Sequence, residues 1–100
     1  MRVIVVEPYK KISVKEIDND ISAWQKIVGG YVECHTLSDG CMVMCDEEGR
    51  CKGYKPCCTI NGKKFVGTIF ITHADEKNVS ETRDLNDKEI VLYRYGNKIK

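Results

Sequence analysis

The 100-residue sequence has almost no net charge and no long apolar run, and each absence argues against particular classes of function. Its 16 basic residues are balanced by 15 acidic ones, so no overall field would attract nucleic acid or an anionic membrane. The apolar run at residues 3–6 is too short for a signal-peptide core or a membrane span. We therefore expect a cytoplasmic protein without a membrane partner, and nucleic acid is not the partner we favour.

The sequence also lacks the established catalytic motifs. It contains no P-loop, no dinucleotide-binding fingerprint, no serine nucleophile elbow and no metalloprotease helix. Its carboxylates are scattered, and the adjacent Glu47 and Glu48 fall in a predicted turn, where we expect a solvated tip rather than an acid–base pair. We predict that the protein is not an enzyme and requires no cofactor.

Residues 17–33 predict a helix followed at once by a strand, and the rest of the fold is arranged around them. Four large apolar residues recur at helical spacing: Ile17, Ile21, Trp24 and Val28. Trp24 is the only tryptophan, and we expect it to be the largest single contribution to the core. Acidic residues can cap the helix, which we place at residues 19–28, and Gly29 can adopt the left-handed conformation that ends it.

Extended segments flank this helix on both sides. Residues 3–6 are an unbroken β-branched run, typical of a central strand that is buried on both faces. Residues 12–16 and 31–37 alternate in polarity, which predicts half-exposed strands. A turn at residues 38–40 leads to a further strand at residues 41–45.

Two hairpins are predicted in the second half of the chain. Residues 46–50 form a loop that would return through Cys51 and Tyr54 as a strand. The Asn-Gly pair at 61–62 favours a type I′ turn, and residues 64–73 would form the interior partner strand.

The C-terminal part contains a helix signal after a polar segment. We expect residues 74–84 to form a surface loop. Asn86 and Glu89 are spaced as a capping box, and a short helix follows to about Tyr95. Together the segments predict a single compact domain over residues 1–100, of the α+β class, with a mostly antiparallel sheet of about five strands, one main packed helix and a short C-terminal helix.

Three segments of the chain resemble a known family. VGGYVE ends the predicted helix, DEEGR forms the turn after residue 45, and GYKP follows it. With this spacing, over about residues 3–71, the chain resembles a small domain of unknown function found in phages, plasmids and other mobile elements of bacteria. That family usually continues through the proline into a polar Asn or Arg position, whereas here Pro56 is followed by Cys57 and Cys58. The resemblance implies a mobile-element setting and no particular activity.

Six cysteines in 100 residues could pack, bind a metal or oxidise. They are Cys34, Cys41, Cys45, Cys51, Cys57 and Cys58. In a cytoplasmic protein we favour reduced thiols that act as small apolar residues. The zinc alternative would use Cys41 and Cys45, completed by Cys57 or His35. The predicted return strand would instead place Cys45 opposite Cys51, where the two could oxidise.

Basic residues cluster around the two predicted hairpins. This basic cluster consists of Arg50, Lys52, Tyr54, Lys55, Lys63 and Lys64. Its five cations could receive phosphates, a nucleotide-like ligand or an acidic protein surface, and Tyr54 offers a ring for stacking. Lysines at hairpin tips also keep sheet edges soluble, and the acidic residues 46–48 would partly cancel the field. We select the basic cluster as the candidate ligand- or partner-binding site.

The leading functional hypothesis is a non-enzymatic intracellular binding protein of a phage or mobile element that inhibits a bacterial defence system. It could dock on a host protein such as a CRISPR nuclease, or sequester a nucleotide-derived immune signal between the subunits of a homo-oligomer. The alternative is a cysteine-ligated zinc module with a structural or nucleic-acid-binding role. A third hypothesis is an accessory domain that is fused to larger machinery in other proteins.

Overall fold

The computed structural model describes residues 1–74, 82–96 and 98–100. In these residues the chain forms eight strands and two helices. In chain order they are β1 (Arg2–Val6), β2 (Ser13–Glu16), α1 (Ile21–Val28), β3 (Val32–Thr36), β4 (Cys41–Asp46), β5 (Pro56–Ile60), β6 (Lys63–Val66), β7 (Ile69–Ala74), β8 (Thr82–Arg83) and α2 (Asp87–Tyr95). Most of the predicted surface loop at residues 74–84 lies outside the described residues. Of the described helices, neither has the length and apolar composition needed to cross a membrane.

Six of these strands form one antiparallel sheet. Its main path runs β2-β1-β7-β4-β3, and the two-residue β8 pairs with the end of β7. Strands β5 and β6 form a separate two-stranded hairpin. The predicted α+β class, with a mostly antiparallel sheet of about five strands, one main helix and a short C-terminal helix, is therefore confirmed.

The central strands of the sheet are buried on both faces, and each face belongs to its own packed cluster. In β1, Val3 and Val5 pack in the cluster that includes residues of α1, whereas Ile4 and Val6 pack in the other. The second cluster also contains apolar side chains from the β5–β6 hairpin and from α2. The predicted central strand is thus confirmed, because β1 lies between β2 and β7 with both faces covered.

Helix α1 ends at Gly29 as the sequence predicts but begins two residues later than predicted, at Ile21, and its predicted apolar stripe is only partly buried. The Asp20 carboxylate accepts a hydrogen bond from the Ala23 N–H at 2.8 Å, and Gly29 ends the helix with φ at 93°. The prediction for Ile21 is wrong, since its side chain is 55% exposed. An eight-residue helix makes only about two turns. Its second turn supplies most of the contact with the sheet, through the buried Val28 and the partly buried Ile27.

The largest fully buried side chain is Phe70, the second residue of β7, rather than Trp24. Trp24 is partly buried and lies on the edge of the same cluster, with its ring centroid 6.0 Å from that of Phe70. Its indole N–H is buried and has no hydrogen-bond partner among the described residues. The central strand β7, which pairs with both β1 and β4, therefore supplies the middle of the core.

The predicted return strand after β4 does not form. Residues 47–53 make successive turns, with hydrogen bonds from the Gly49 N–H to the Asp46 carbonyl at 3.1 Å and from the Lys52 N–H to the Glu48 carbonyl at 2.9 Å. Strand β4 pairs instead with β3 and β7. Cys51 is consequently not a cross-strand neighbour of Cys45, and the predicted oxidation geometry is wrong.

The predicted long strand over residues 64–73 is divided at Gly67. The turn before it is confirmed, since Asn61 and Gly62 have φ of 50° and 78° and join β5 to β6. Gly67 then has φ at 72°, which ends β6, and the chain enters the main sheet as β7. The break allows the β5–β6 hairpin to leave the plane of the main sheet.

The capping signal of the C-terminal helix is confirmed. The Asn86 side chain accepts a hydrogen bond from the Glu89 N–H at 2.9 Å, and the Glu89 carboxylate accepts one from the Asn86 N–H at 2.9 Å. Helix α2 then runs to Tyr95, with Gly96 as the C-cap.

Alanine at Gly67 tests whether the break depends on the ring of Tyr54. Gly67 and Gly53 share a φ of 72°, so Gly67→Ala and Gly53→Ala each introduce about 1–2 kcal/mol of backbone strain. A Cβ at Gly67 would also lie 2.5 Å from Tyr54 Cδ2, whereas one at Gly53 would have no neighbour within 4 Å. We expect Gly67→Ala to lower the free energy of unfolding by roughly 1–3 kcal/mol more than Gly53→Ala in urea titrations. Equal losses would show that the Tyr54 contact is not the constraint.

Candidate functional site

A buried carboxylate organises the turn that follows β4. The side chain of Asp46 is 1% exposed and accepts three hydrogen bonds. Lys52 Nζ and Tyr54 Oη donate to Oδ2 at 2.7 and 2.9 Å, and the Glu48 N–H donates to Oδ1 at 2.9 Å. Lys52 also donates to the Gly29 carbonyl at 3.3 Å, which ties the turn to the end of α1. We call Asp46, Lys52 and Tyr54 the Asp46 cluster.

The two glycines after α1 approach this cluster closely. A Cβ on Gly30 would lie 2.5 Å from Lys52 Nζ, and a Cβ on Gly29 would lie 2.7 Å from Tyr54 Oη. The segments VGGYVE, DEEGR and GYKP, separated in the chain, therefore meet around one carboxylate. In this chain the residues that carry the family resemblance build a structural support.

A groove of about 510 Å³ opens beside the Asp46 cluster. It lies between the β3–β4 hairpin, the turn at residues 47–53 and the β5–β6 hairpin, and it is lined by Glu33, His35, Cys45, Asp46, Glu47, Gly49, Arg50, Cys51, Lys63, Lys64, Phe65 and Val66. Carboxylates and cations share its walls, so it is a mixed-charge groove and not a uniformly basic one.

The structure separates the members of the predicted basic cluster. Lys52 and Tyr54 are held by Asp46 within the support described above. Lys55 lines a different cleft of about 320 Å³, on the side of the Tyr54 ring that faces Gly67. These three residues are therefore not part of one surface with the hairpin lysines.

Arg50, Lys63 and Lys64 do come together in the groove. The Arg50 guanidinium donates to the Lys64 carbonyl at 2.9 Å, which joins the turn to the β5–β6 hairpin. Both lysine side chains are exposed. In the described part of the chain, no carboxylate forms an ion pair with any of the three cations. They are the members of the predicted site that remain open to an anionic group.

The cysteines of the predicted zinc site do not converge. Cys41 and Cys45 lie four residues apart on β4, a separation of about 13 Å along an extended strand. Cys57 lies on β5, where its thiol donates to the Val6 carbonyl at 3.4 Å. All six cysteines are free thiols, and Cys41 and Cys45 are buried.

Among the described residues, two other sets of potential metal-ligating atoms do converge. One is Glu33, His35 and Cys45, and the other is Cys41, His73 and Glu89; in each set the donor atoms lie within 4.8 Å of one another. In the first, burial and the neighbouring Glu33 carboxylate raise the pKa of the Cys45 thiol to about 11. Sequence reasoning selected Cys45 and His35 and missed Glu33, which the strand register places directly opposite Cys45.

The groove is bordered by β3, whose outer edge has no pairing strand among the described residues. The Glu47 N–H donates to the Tyr31 carbonyl and the Leu37 N–H to the Cys41 carbonyl, at 2.9 and 2.7 Å. Together with the register, these two bonds show that the backbone groups of the odd-numbered residues of β3 form the hydrogen bonds to β4. The backbone groups of Val32, Cys34 and Thr36 therefore point away from the sheet.

Removing the charge of Asp46 should destabilise the fold in a pH-dependent way. Burial by itself raises the pKa of Asp46, but hydrogen bonds from Lys52, the Glu48 N–H and Tyr54 lower it below its ordinary value. A lowered carboxylate pKa stabilises the fold above the pKa of the unfolded chain, and this stability is lost as the pH falls through the folded-state pKa. Because Asp46→Asn weakens hydrogen bonds to a buried charge, we expect it to cost about 1–3 kcal/mol at pH 7.

The measurement is urea denaturation at pH 7 and again near pH 3. Glu47→Gln is the matched control, since it removes the same charge from the exposed neighbouring residue. The difference in the free energy of unfolding between wild type and Asp46→Asn should become smaller at the lower pH. The control should stay close to wild type at both pH values. A gap that is independent of pH would contradict the assignment of the ionised carboxylate as the stabilising group.

Comparison with known proteins gives the family of this chain. No curated protein and no solved structure matches the sequence. The model of a family described as a domain of unknown function, DUF3846, matches residues 1–98, which is nearly the whole chain. The chain belongs to the DUF3846 family.

Proposed function

We propose that the protein is a non-enzymatic binding protein of a phage or mobile element that inhibits a bacterial defence system by docking on a host effector such as a CRISPR nuclease. The observation that carries the proposal is the open edge of β3 beside the three groove cations. The mobile-element setting comes from the family resemblance, and the mode of binding comes from the geometry of the edge.

The edge of β3 offers a template for an extended segment of a partner. Val32, Cys34 and Thr36 direct their backbone N–H and carbonyl groups outward, so an added strand could pair with three residues. Addition of a strand to a sheet edge gives affinity through main-chain hydrogen bonds and selectivity through neighbouring side chains.

The two edges of the sheet differ in how they are protected. At the β2 edge, Lys15 and Glu16 are both exposed charges, a pattern that discourages strand addition. Strand β3 has the sequence VECHT, with neither lysine nor proline and with the Glu33 side chain directed toward the groove. The β3 edge therefore carries one exposed charge, Glu33, against two on the β2 edge, and this difference favours β3 as the docking edge.

The groove cations define the chemistry of the partner. Arg50, Lys63 and Lys64 lie across the groove from β3, so a strand added at this edge would run beside three positive charges. Such charges attract carboxylates and repel basic segments, which sets specificity more than affinity. The partner segment is therefore extended and acidic.

A nucleotide-derived immune signal is the second candidate ligand. The groove volume of about 510 Å³ lies within the range of about 300–1,000 Å³ that is usual for small-molecule sites. The same three cations would bind its phosphates. This candidate requires the groove and not the β3 edge, and that difference separates the two in an experiment.

Proline at position 34 tests the edge directly. The Cys34 N–H points away from β4, so Cys34→Pro removes a donor from the open edge and leaves the ladder to β4 intact. Cys34→Val is the matched control, since it keeps the donor. The double variant Lys63→Glu/Lys64→Glu tests the cations. Its control is Lys10→Glu/Lys11→Glu, which changes the net charge by the same amount at exposed positions outside the groove.

The readout is phage plating on bacterial strains that each express one defence system, among them a CRISPR nuclease and a nucleotide-signalling system. Wild type should restore plating on at least one strain, and Cys34→Pro and Lys63→Glu/Lys64→Glu should each reduce the effect at least tenfold, while both controls retain it. If only the charge reversal reduces plating, the nucleotide ligand replaces the docked protein. If wild type protects phage on no strain, or neither variant matters, the proposal is wrong. Circular dichroism of each purified variant verifies that it folds.

A further inference from the structure

Glu33, His35 and Cys45 bring three metal-ligating atoms together in the groove. Glu33 and His35 are two residues apart on β3, so their side chains share a face. Cys45 is the cross-strand partner of Glu33 on β4. Glu33 Oε2 lies 3.2 Å from His35 Nε2 and 3.8 Å from Cys45 Sγ, and all three donor atoms lie within 4.8 Å of one another.

Two of the three separations match the edges of a tetrahedral zinc site, and the third, between His35 Nε2 and Cys45 Sγ, is at most 4.8 Å. With zinc–ligand bonds of about 2.0–2.3 Å, adjacent ligands in a tetrahedron lie about 3.4 Å apart for nitrogen and oxygen and about 3.6 Å for sulfur and oxygen. The distances from Glu33 Oε2 to His35 Nε2 and to Cys45 Sγ differ from those values by about 0.2 Å. An ion could therefore bind with side-chain adjustments that bring His35 Nε2 and Cys45 Sγ to the same tetrahedral spacing.

The surroundings hold the three residues while leaving one side open. Cys45 is 6% exposed and belongs to the packed core, and the His35 ring packs edge-on against Phe65 with centroids 5.4 Å apart. The Glu33 side chain is 50% exposed and borders the groove. A bound ion would thus have three protein ligands and a fourth position directed to water or to a ligand in the groove.

The second set of donor atoms does not offer the same opportunity. The Glu89 carboxylate already accepts hydrogen bonds from the two terminal guanidinium nitrogens of Arg83, each at 2.8 Å, and from the Asn86 N–H at 2.9 Å. The Arg83 charge occupies the place that a cation would take at that carboxylate. In the described part of the chain, the partners of the Glu33 carboxylate are the His35 ring and the Cys45 thiol, which are the two other ligands themselves, so no cation competes for this carboxylate.

We propose that Glu33 Oε2, His35 Nε2 and Cys45 Sγ form a site for one zinc ion per chain. On binding, the Cys45 thiol gives its proton to solvent, and thiolate and carboxylate together neutralise the ion. Arg50, Lys63 and Lys64 in the same groove oppose a free cation but favour an anion as the fourth ligand. The site does not depend on the proposed function, because its ligands are set by the β3–β4 register alone.

The test is metal binding by the full chain, stripped with chelator and desalted under reducing conditions. Zinc affinity is measured by titration against a chromophoric chelator, the stoichiometry by native mass spectrometry, and thiolate ligation by the charge-transfer absorption of the cobalt complex. We expect one zinc per chain. Since loss of an outer-shell partner already weakens binding by about 10–100-fold, Glu33→Gln, His35→Gln and Cys45→Ser should each weaken it at least that much, and Cys45→Ser should abolish the thiolate–cobalt band.

Two cysteine variants are matched controls. Cys34→Ser lies between the two ligands of β3 on the opposite face, and Cys41→Ser lies in the competing set of donors. Both should bind zinc as wild type does. Glu33→Gln keeps the test decisive even if the buried Cys45→Ser variant folds poorly, because Glu33 lies exposed at the sheet edge. Binding below stoichiometric levels, unchanged affinity in Glu33→Gln, or loss of binding in a Cys41→Ser variant that keeps the wild-type circular dichroism spectrum would each overturn the proposal.

Discussion

The buried carboxylate of Asp46 is the constraint on which one end of the molecule depends. A carboxylate that is 1% exposed must be compensated, and its three donors come from the turn that follows it. Satisfying the charge therefore closes that turn, fixes the Tyr54 ring against Gly67 and ties Lys52 to the end of α1. The turn that forms one wall of the groove is therefore held in place by this compensation.

The same constraint explains why the basic residues do not act as one surface. Lys52 and Tyr54 both donate hydrogen bonds to Asp46, so they support the turn beside the groove and the Lys52 charge is already paired. The Arg50 side chain instead donates a hydrogen bond to the Lys64 carbonyl and so contacts the β5–β6 hairpin. What remains for a partner is a small set of cations facing an unprotected strand, which suits recognition of a short acidic segment better than a broad electrostatic attraction.

Sequence patterns predicted those parts of the fold whose causes are local. The caps at Gly29 and Asn86 and the turn at residues 61–62 each depend on a few adjacent residues, and all three are confirmed. The return strand after β4 was mispredicted because the Asp46 side chain bonds to its own turn and competes with an extended chain. The break at Gly67 has a positive φ that glycine permits, but the ring packed against it belongs to Tyr54, thirteen residues earlier in the chain, and no local pattern contains that contact.

The metal-ligating set shows how register, rather than spacing, assembles a site. Cys41 and Cys45 are close in sequence and far apart along a strand, whereas Glu33 and Cys45 are twelve residues apart and directly opposed. The odd residues of β3 turn their side chains to the groove, and the even residues turn their backbone groups to the open edge. The proposed strand pairing at the edge and the proposed metal binding in the groove would therefore use different atoms of one strand. A partner strand on β3 would place its own side chains beside the open fourth position of the ion, so an acidic residue there could satisfy both sites at once.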